Sequence, residues 1–272
     1  NATSLDGNTI IGYSAVGGQT LNPYGRKIFE TGGSSSGSGV AVAANYAVAA
    51  LGSETSGSIL SPSAQNSVVG LKPTIGLVSR SGIVPISNTL DTSGPMTKNV
   101  LDNAIILDAI AVQDYDDKIT VGVSRLEELL PLKNSSLDGV RLGAMTNLIE
   151  LDSLYRNAIY DLKSSGAEII TFTPERVSLT GFSSVLNSDM KHDLPNYFRE
   201  FSSIPYENLN TQEIIDFNSN DSMLYMPYGQ DRFYGVMSDT TSKKQLKTII
   251  NSINEIAINF FNVHIIKHDL DA

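Results

Sequence analysis

The sequence contains no cysteine. That excludes disulfides, thiolate nucleophiles and Cys-ligated zinc together, and leaves the redox compartment open. Basic residues are scarce, 19 Lys+Arg against 29 Asp+Glu, for a net charge of −10 at pH 7. Phosphate-backbone affinity needs clustered Lys and Arg, and anionic lipid needs polybasic segments, so neither nucleic acid nor membrane is expected as a partner. Long apolar runs are also missing. The run from Val40 to Leu51 is only twelve residues and is broken by Asn45, short of the ~18 that a membrane-spanning helix requires. Asn1-Ala2-Thr3-Ser4 is polar and has no basic leader region, so a cytoplasmic location is expected, although an extracytoplasmic chain without disulfides fits equally. N-x-[ST] sequons at Asn1, Asn134 and Asn220 are expected by chance in a Ser- and Asn-rich chain. What is present is ample core material: 41% hydrophobic residues in 272 suffice for one or two domains and exclude disorder.

Strand-like and helix-like segments alternate, which predicts an α/β architecture. Residues 140–145 and 167–172 read as strands. Between them, Leu154, Ala158, Ile159 and Leu162 recur at helical spacing over 152–165, and Gly166 stops the helix. That order predicts a β-α-β unit with a parallel strand pair. Near the C-terminus, Leu246, Ile249, Ile250, Ile253, Ile256, Ala257, Phe260 and Phe261 repeat every three or four residues, predicting a long amphipathic helix packed on a core. Residues 180–234 mix short helical patterns with little strand signal. They are read either as a substrate-covering insert or as irregular peripheral helix.

Residues 31–70 stand apart, with 17 Gly or Ser in 40 and Glu54 as the only charge. A flexible linker would not contain Val40-Ala41-Val42-Ala43-Ala44, Ala47 to Leu51, or Val68-Val69. Such small residues let main chain approach main chain and leave N–H groups free to face an anion. If Val40–Leu51 is a helix, it rises about 18 Å, and Gly52–Gly57 extended covers about 20 Å. The chain can then bring Ser58 back beside Ser34. Two hydroxyls and a row of amides meeting at one point would supply a serine nucleophile, a proton relay and an oxyanion site.

Gly32-Gly33-Ser34-Ser35-Ser36-Gly37-Ser38, then Gly52-Ser53-Glu54-Thr55-Ser56-Gly57-Ser58-Ile59, then Gly70-Leu71-Lys72-Pro73-Thr74 resemble the amidase signature family. Within it, Glu54, the run Gly70–Ser87, Asp91-Thr92 and Gly94-Pro95-Met96 are most similar to the bacterial peptide amidases. The likeness is dense over 17–111 and looser elsewhere. It implies an α/β fold with a mixed, mostly parallel sheet covered by helices on both faces, in a single domain whose two ends both lie outside 1–272; the chain begins with Asn rather than Met. It implies Ser58 as nucleophile, Ser34 as bridging serine preceded by a cis peptide bond, and the amides of Thr55, Ser56, Gly57 and Ser58 as oxyanion hole. The family's base is a lysine tens of residues upstream of the Gly-Ser stretch; Lys27, seven residues before Ser34, is not that lysine. The implied substrate is a C-terminal peptide amide or similar small amide, hydrolysed to carboxylate and ammonia without cofactor or metal. The resemblance implies nothing about oligomeric state.

Two departures bear on branch and site. Leu60 stands where most of the family has Arg, which disfavours the tRNA-dependent amidotransferase A subunits, and Ser56 replaces a common Gly. A non-catalytic binding or scaffold role is the alternative from another class. Other signals compete weakly. Gly33-Ser34-Ser35-Ser36-Gly37 also fits the G-x-S-x-G elbow with Ser35 as nucleophile, but Asn22–Thr31 is polar and no strand is expected there. Ser188-Asp189-Met190-Lys191 fits S-x-x-K without its companion motifs. His264 and His268 lack the Glu of H-E-x-x-H, and a triad on His192, His264 or His268 requires the amidase reading to fail.

Overall fold

The computed structural model describes residues 11–120, 122 and 136–272; the sequons at Asn1 and Asn134 lie outside them. The chain divides into two compact units, Asn1–Leu130 with Leu186–Thr240, and Pro131–Val185 with Thr241–Ala272.

The first unit opens with a short antiparallel pair, β1 (Tyr13–Ser14) and β2 (Gly18–Gln19). There follow α1 (Ser36–Ala43), β3 (Ala49–Glu54), α2 (Leu60–Gln65), β4 (Val69–Gly70), β5 (Thr92–Thr97) and α3 (Val100–Ile110). Strand order is β3-β5-β4, both pairs antiparallel, and all six residues of the central strand β5 are buried. Val42 of α1, Ile59 ahead of α2 and Met96 of β5 are completely buried and anchor this core. The sequence predicts helix from Val40 to Leu51, and here the structure differs. α1 ends at Ala43, Asn45 turns with φ 62°, Tyr46 N–H donates to the Ala41 carbonyl at 2.8 Å, and β3 begins at Ala49. The alanine-rich run favours helix only weakly. Six paired residues against β5 outweigh that preference, and Asn is the residue best able to take the left-handed turn.

The second unit contains β6 (Arg141–Met145), α4 (Thr146–Leu151), α5 (Ser153–Ser164) and β7 (Glu168–Phe172). β6 and β7 are parallel, as the β-α-β reading predicts, and the Asp152 carboxylate caps α5 by accepting from the amides of Leu154 and Tyr155. The expectation of mostly parallel pairing meets a mixed picture: this pair is parallel and the other described pairs are antiparallel. Only this pair is joined by a helical crossover, the connection that parallel strands need.

Across 180–234 the chain is helical, with α6 (Phe182–Phe201), α7 (Thr211–Asn220), α8 (Ser222–Tyr225) and α9 (Asp231–Ser238). α10 (Lys243–His268) closes the chain, with Ser242 and Gln245 in a capping box at its start. It is the expected long helix. Along its stripe Ile253 is buried and Leu246, Ile249, Ile250, Ile256 and Phe260 are half-buried, while Ala257 and Phe261 are exposed; Ile258, Val263 and Ile266, outside the stripe, are exposed as well. By length and composition it is the one described helix that could cross a membrane. The helix runs through His268. Asp269 then takes a left-handed turn, and the Asp271 amide and Ala272 carbonyl bond Arg141 and Gly143 of β6.

Candidate active site

The two serine segments are laced together at the end of β3. The Ser35 amide donates to the Ser58 carbonyl at 3.1 Å. The Ser35 hydroxyl donates to the Ser53 carbonyl and accepts from the Ser53 amide, both at 3.1 Å. The Ser36 hydroxyl donates to the Gly32 carbonyl at 2.5 Å. Ser34 precedes this lacing, and the Gly33–Ser34 peptide bond is cis. A β-carbon on Gly32 would lie 2.7 Å from the Pro62 nitrogen, so glycine there allows the Ser34 turn to press onto α2.

From Glu54 to Leu60 the chain forms a closed loop. Glu54, only 4% exposed, accepts the amides of Ile59 at 2.8 Å and Leu60 at 3.0 Å through one carboxylate oxygen. Inside the loop Gly57 has φ 87°. Among the described residues, the amides of Ser56, Gly57 and Ser58 and the Ser58 hydroxyl have no hydrogen-bond partner. Ser58 is 9% exposed, so these donors sit at the margin of the interior. Three adjacent unclaimed amides around a serine can receive an oxygen that gains negative charge.

Thr55 opens that loop and donates its hydroxyl to Asp91. The other Asp91 oxygen accepts the amides of Ile86 and Ser87, each at 2.9 Å. Burial pushes the Asp91 carboxyl above its ordinary pKa, against the lowering pull of the Thr55 and amide hydrogen bonds and of Arg80. Asp91 also lines an open cavity of about 240 Å³ with Arg80, Ile83, Asp193 and Tyr197. There Arg80 is held bidentately by Asp117 at 2.6 and 2.8 Å, which raises the guanidinium pKa and keeps the Asp117 carboxyl below the usual range. Burial raises Asp193, and neighbouring Asp189 adds to that shift.

The amidase family model matches residues 7–253. The chain belongs to the amidase family. It is 35% identical to a probable amidase of Arabidopsis thaliana, over 96% of this chain and 52% of that protein. An amidase family protein from Bacillus anthracis superposes with TM-score 0.88 at 34% identity, over 96% of this chain and 52% of the other. Native peptide amidase from Stenotrophomonas maltophilia superposes with TM-score 0.85 at 33% identity, over 97% and 56%. The chain thus spans about half the length of the amidases it matches.

The competing signals find other places in this amidase fold. No described strand leads into Ser35, whose hydroxyl is occupied by Ser53. Lys191 donates to the carbonyls of Met237 and Asp239 at the end of α9, so its spacing from Ser188 reflects helix packing. His264 stacks on Phe172 and on His268. Among the described residues no three His, Asp or Glu side chains gather as metal ligands. Lys72 and Lys98 donate to the carbonyls of Pro73 and Ala43. In the sequence Asp91 stands out only as part of the Asp91-Thr92 motif, with no sign of its tie to Thr55. The available signal is strand register: Glu54 pairs with Thr92, so Thr55 comes opposite Asp91 where the ladder ends.

Proposed function

We propose that the protein carrying this chain hydrolyses a carboxamide to a carboxylate and ammonia, with Ser58 as nucleophile and Ser34 as proton relay. The observation that carries this reading is the Ser35 N–H to Ser58 carbonyl bond, which holds the Ser34 turn against a serine ringed by unclaimed amides. The Ser58 oxygen attacks the amide carbon, and its proton passes through Ser34 to the lysine that the family resemblance places N-terminal to the Gly-Ser stretch. The carbonyl oxygen gains charge and is met by the amides of Thr55, Ser56, Gly57 and Ser58. Collapse breaks the C–N bond, and the nitrogen leaves as ammonia with the relayed proton. Water then attacks the acyl-serine and releases the carboxylate, regenerating Ser58. No step requires a metal or an organic cofactor. Similarity to peptide amidase supports a C-terminal peptide amide as substrate, and Leu60, an apolar side chain where a cation is common in the family, is compatible with a pocket that does not select an anionic group.

The test uses the full-length protein and an N-acetyl amino-acid amide. Ser58→Ala should abolish ammonia release, and a fluorophosphonate should label Ser58 alone. Ser34→Ala should lower kcat by several orders of magnitude with KM little changed. Labelling at Ser35, or ammonia release from glutamine only with a partner subunit, would replace this reading.

A further inference from the structure

Residues 86–89 are held in an unusual way. Four consecutive backbone amides, Ile86 to Thr89, all donate to carboxylates. Asp91 takes the first two at 2.9 Å each, Asp193 takes Asn88 at 2.8 Å, and Asp189 takes Thr89 at 3.2 Å. Asp189 also accepts the Ser87 hydroxyl at 2.5 Å. Asp189 and Asp193 are four residues apart on α6, hence on one face of that helix. The segment is therefore clamped between a helix and a single carboxylate, and that carboxylate spends its remaining oxygen on Thr55, the first residue of the Ser58 loop.

The far end of the loop is secured twice, by Glu54 on the amides of Ile59 and Leu60 and by Ser35 on the Ser58 carbonyl. Among side chains, its near end is secured by Thr55 on Asp91. The amides between are those left without partners. Donors that stabilise a developing oxyanion act only if fixed before the charge appears, and a displacement of about 1 Å costs on the order of 10²-fold in rate. Holding Thr55 therefore matters to catalysis more than to substrate binding.

We propose that Asp91 is a positioning residue for the Thr55–Ser58 loop, and that Asp189 and Asp193 extend this positioning to helix α6. This rests on Ser58 being the nucleophile. The link makes α6, which lies within the 180–234 helical region, part of the catalytic apparatus without any contact between it and the reacting atoms. A displacement of α6 would reach the loop through the 86–89 segment.

The experiment measures kcat and KM of the full-length protein on an N-acetyl amino-acid amide, with melting temperature recorded for every variant. Thr55→Val keeps the shape of the side chain and removes the donor. It should lower kcat about 100-fold with KM within threefold, and Thr55→Ser, which restores the hydroxyl, should recover at least tenfold of that loss. Asp91→Leu is close to the carboxylate in size and has no acceptor, and should lower kcat at least as far as Thr55→Val. The double variant should be no worse than the poorer single one, because both cut one link. Asp189→Ala with Asp193→Ala should lower kcat about tenfold while Ser58 still labels; this pair keeps the test open if Asp91→Leu fails to fold. A kcat within twofold of the parent for Thr55→Val, with Ser58→Ala inactive, would overturn the proposal and leave the nucleophile standing. Full activity of Ser58→Ala would overturn the nucleophile instead. Strictly additive losses at Thr55 and Asp91 would also overturn it, since separate effects would then be responsible.

Discussion

Gly57 sits at φ 87° with open space where a β-carbon would go, so the demand on this position is conformational and not steric. An L-residue there costs about 1–2 kcal/mol. Gly57→Ala should therefore fold with a melting temperature lowered by a few degrees, and its kcat should fall further than its stability, since the strained residue carries one of the unclaimed amides. Glu54 separates in a similar way into charge and geometry. Both amides it accepts go to one oxygen, so Glu54→Gln can keep both bonds, whereas Glu54→Ala leaves two donors bare at about 1–3 kcal/mol each. Denaturant titration should show the alanine variant several kcal/mol less stable than the glutamine variant; equal losses would mean that the charge, and not the acceptor, closes the loop. At this scale the sequence was legible where residue type alone limits the options. Glu54 stands out as the only charge in forty residues, and Ser34 and Ser58 stand out by motif. The Asp91 tie was hidden because it depends on a partner 36 residues away.

Among the elements, β6 is joined to the end of α10 by one arginine. Arg141 donates to the carbonyls of His268 at 3.0 Å and Asp269 at 2.8 Å, and to Glu168 of β7 at 2.5 Å. Glu168 is 58% exposed, which places the ion pair in the class worth little. A cation on the last helical carbonyls is worth up to about 2 kcal/mol. Urea unfolding should then show Glu168→Gln within about 0.5 kcal/mol of the parent and Arg141→Met losing about 1–2 kcal/mol; the reverse order would make the ion pair the dominant contact. The β-α-β unit was readable from the sequence because its two periodicities are clean and its caps, Asp152 and Gly166, are local. The α1–β3 boundary was not, because helix propensity and β-pairing compete over the same alanines and β5, which decides the matter, lies some forty residues on. α10 and its sheltered stripe were readable from clean helical periodicity, whereas the exposure of Phe261 within that stripe was not, since periodicity marks an apolar face without saying where its cover ends.

For the molecule as a whole, the carboxylates of Asp91, Asp117 and Asp193 pull stability in opposite directions as pH changes. Asp117 is held below its ordinary pKa by Arg80, so its contribution is present above the unfolded value near 3.8 and is lost as pH falls. Asp91 and Asp193 are raised by burial, so protonation favours their folded state. Their contribution is greatest below pH 3.8 and is lost as pH rises through the raised values. Asp193→Asn retains an acceptor for the Asn88 amide and removes a charge beside Asp189. It should be at least as stable as the parent at pH 7, with the difference closing below about pH 4. Asp117→Asn should do the opposite, losing stability at pH 7 and little at pH 3. Melting curves across pH 3–8 decide both, and a destabilised Asp193→Asn at neutral pH would show that the negative charge itself is needed.

The three-stranded sheet and the serine turns come entirely from residues 32–97, whereas the carboxylates of α6 that clamp the 86–89 segment arrive about a hundred residues later in the chain. Order of synthesis therefore separates building the site from tuning it. On a ribosome, β3 can pair with β5 while α6 is still unmade, and the loop around Ser58 remains adjustable until that helix docks. In pulse-labelled hydrogen exchange, the β3 and β5 amides should gain protection before those of Asn88 and Thr89, so that a scaffold already folded waits for its last two carboxylates.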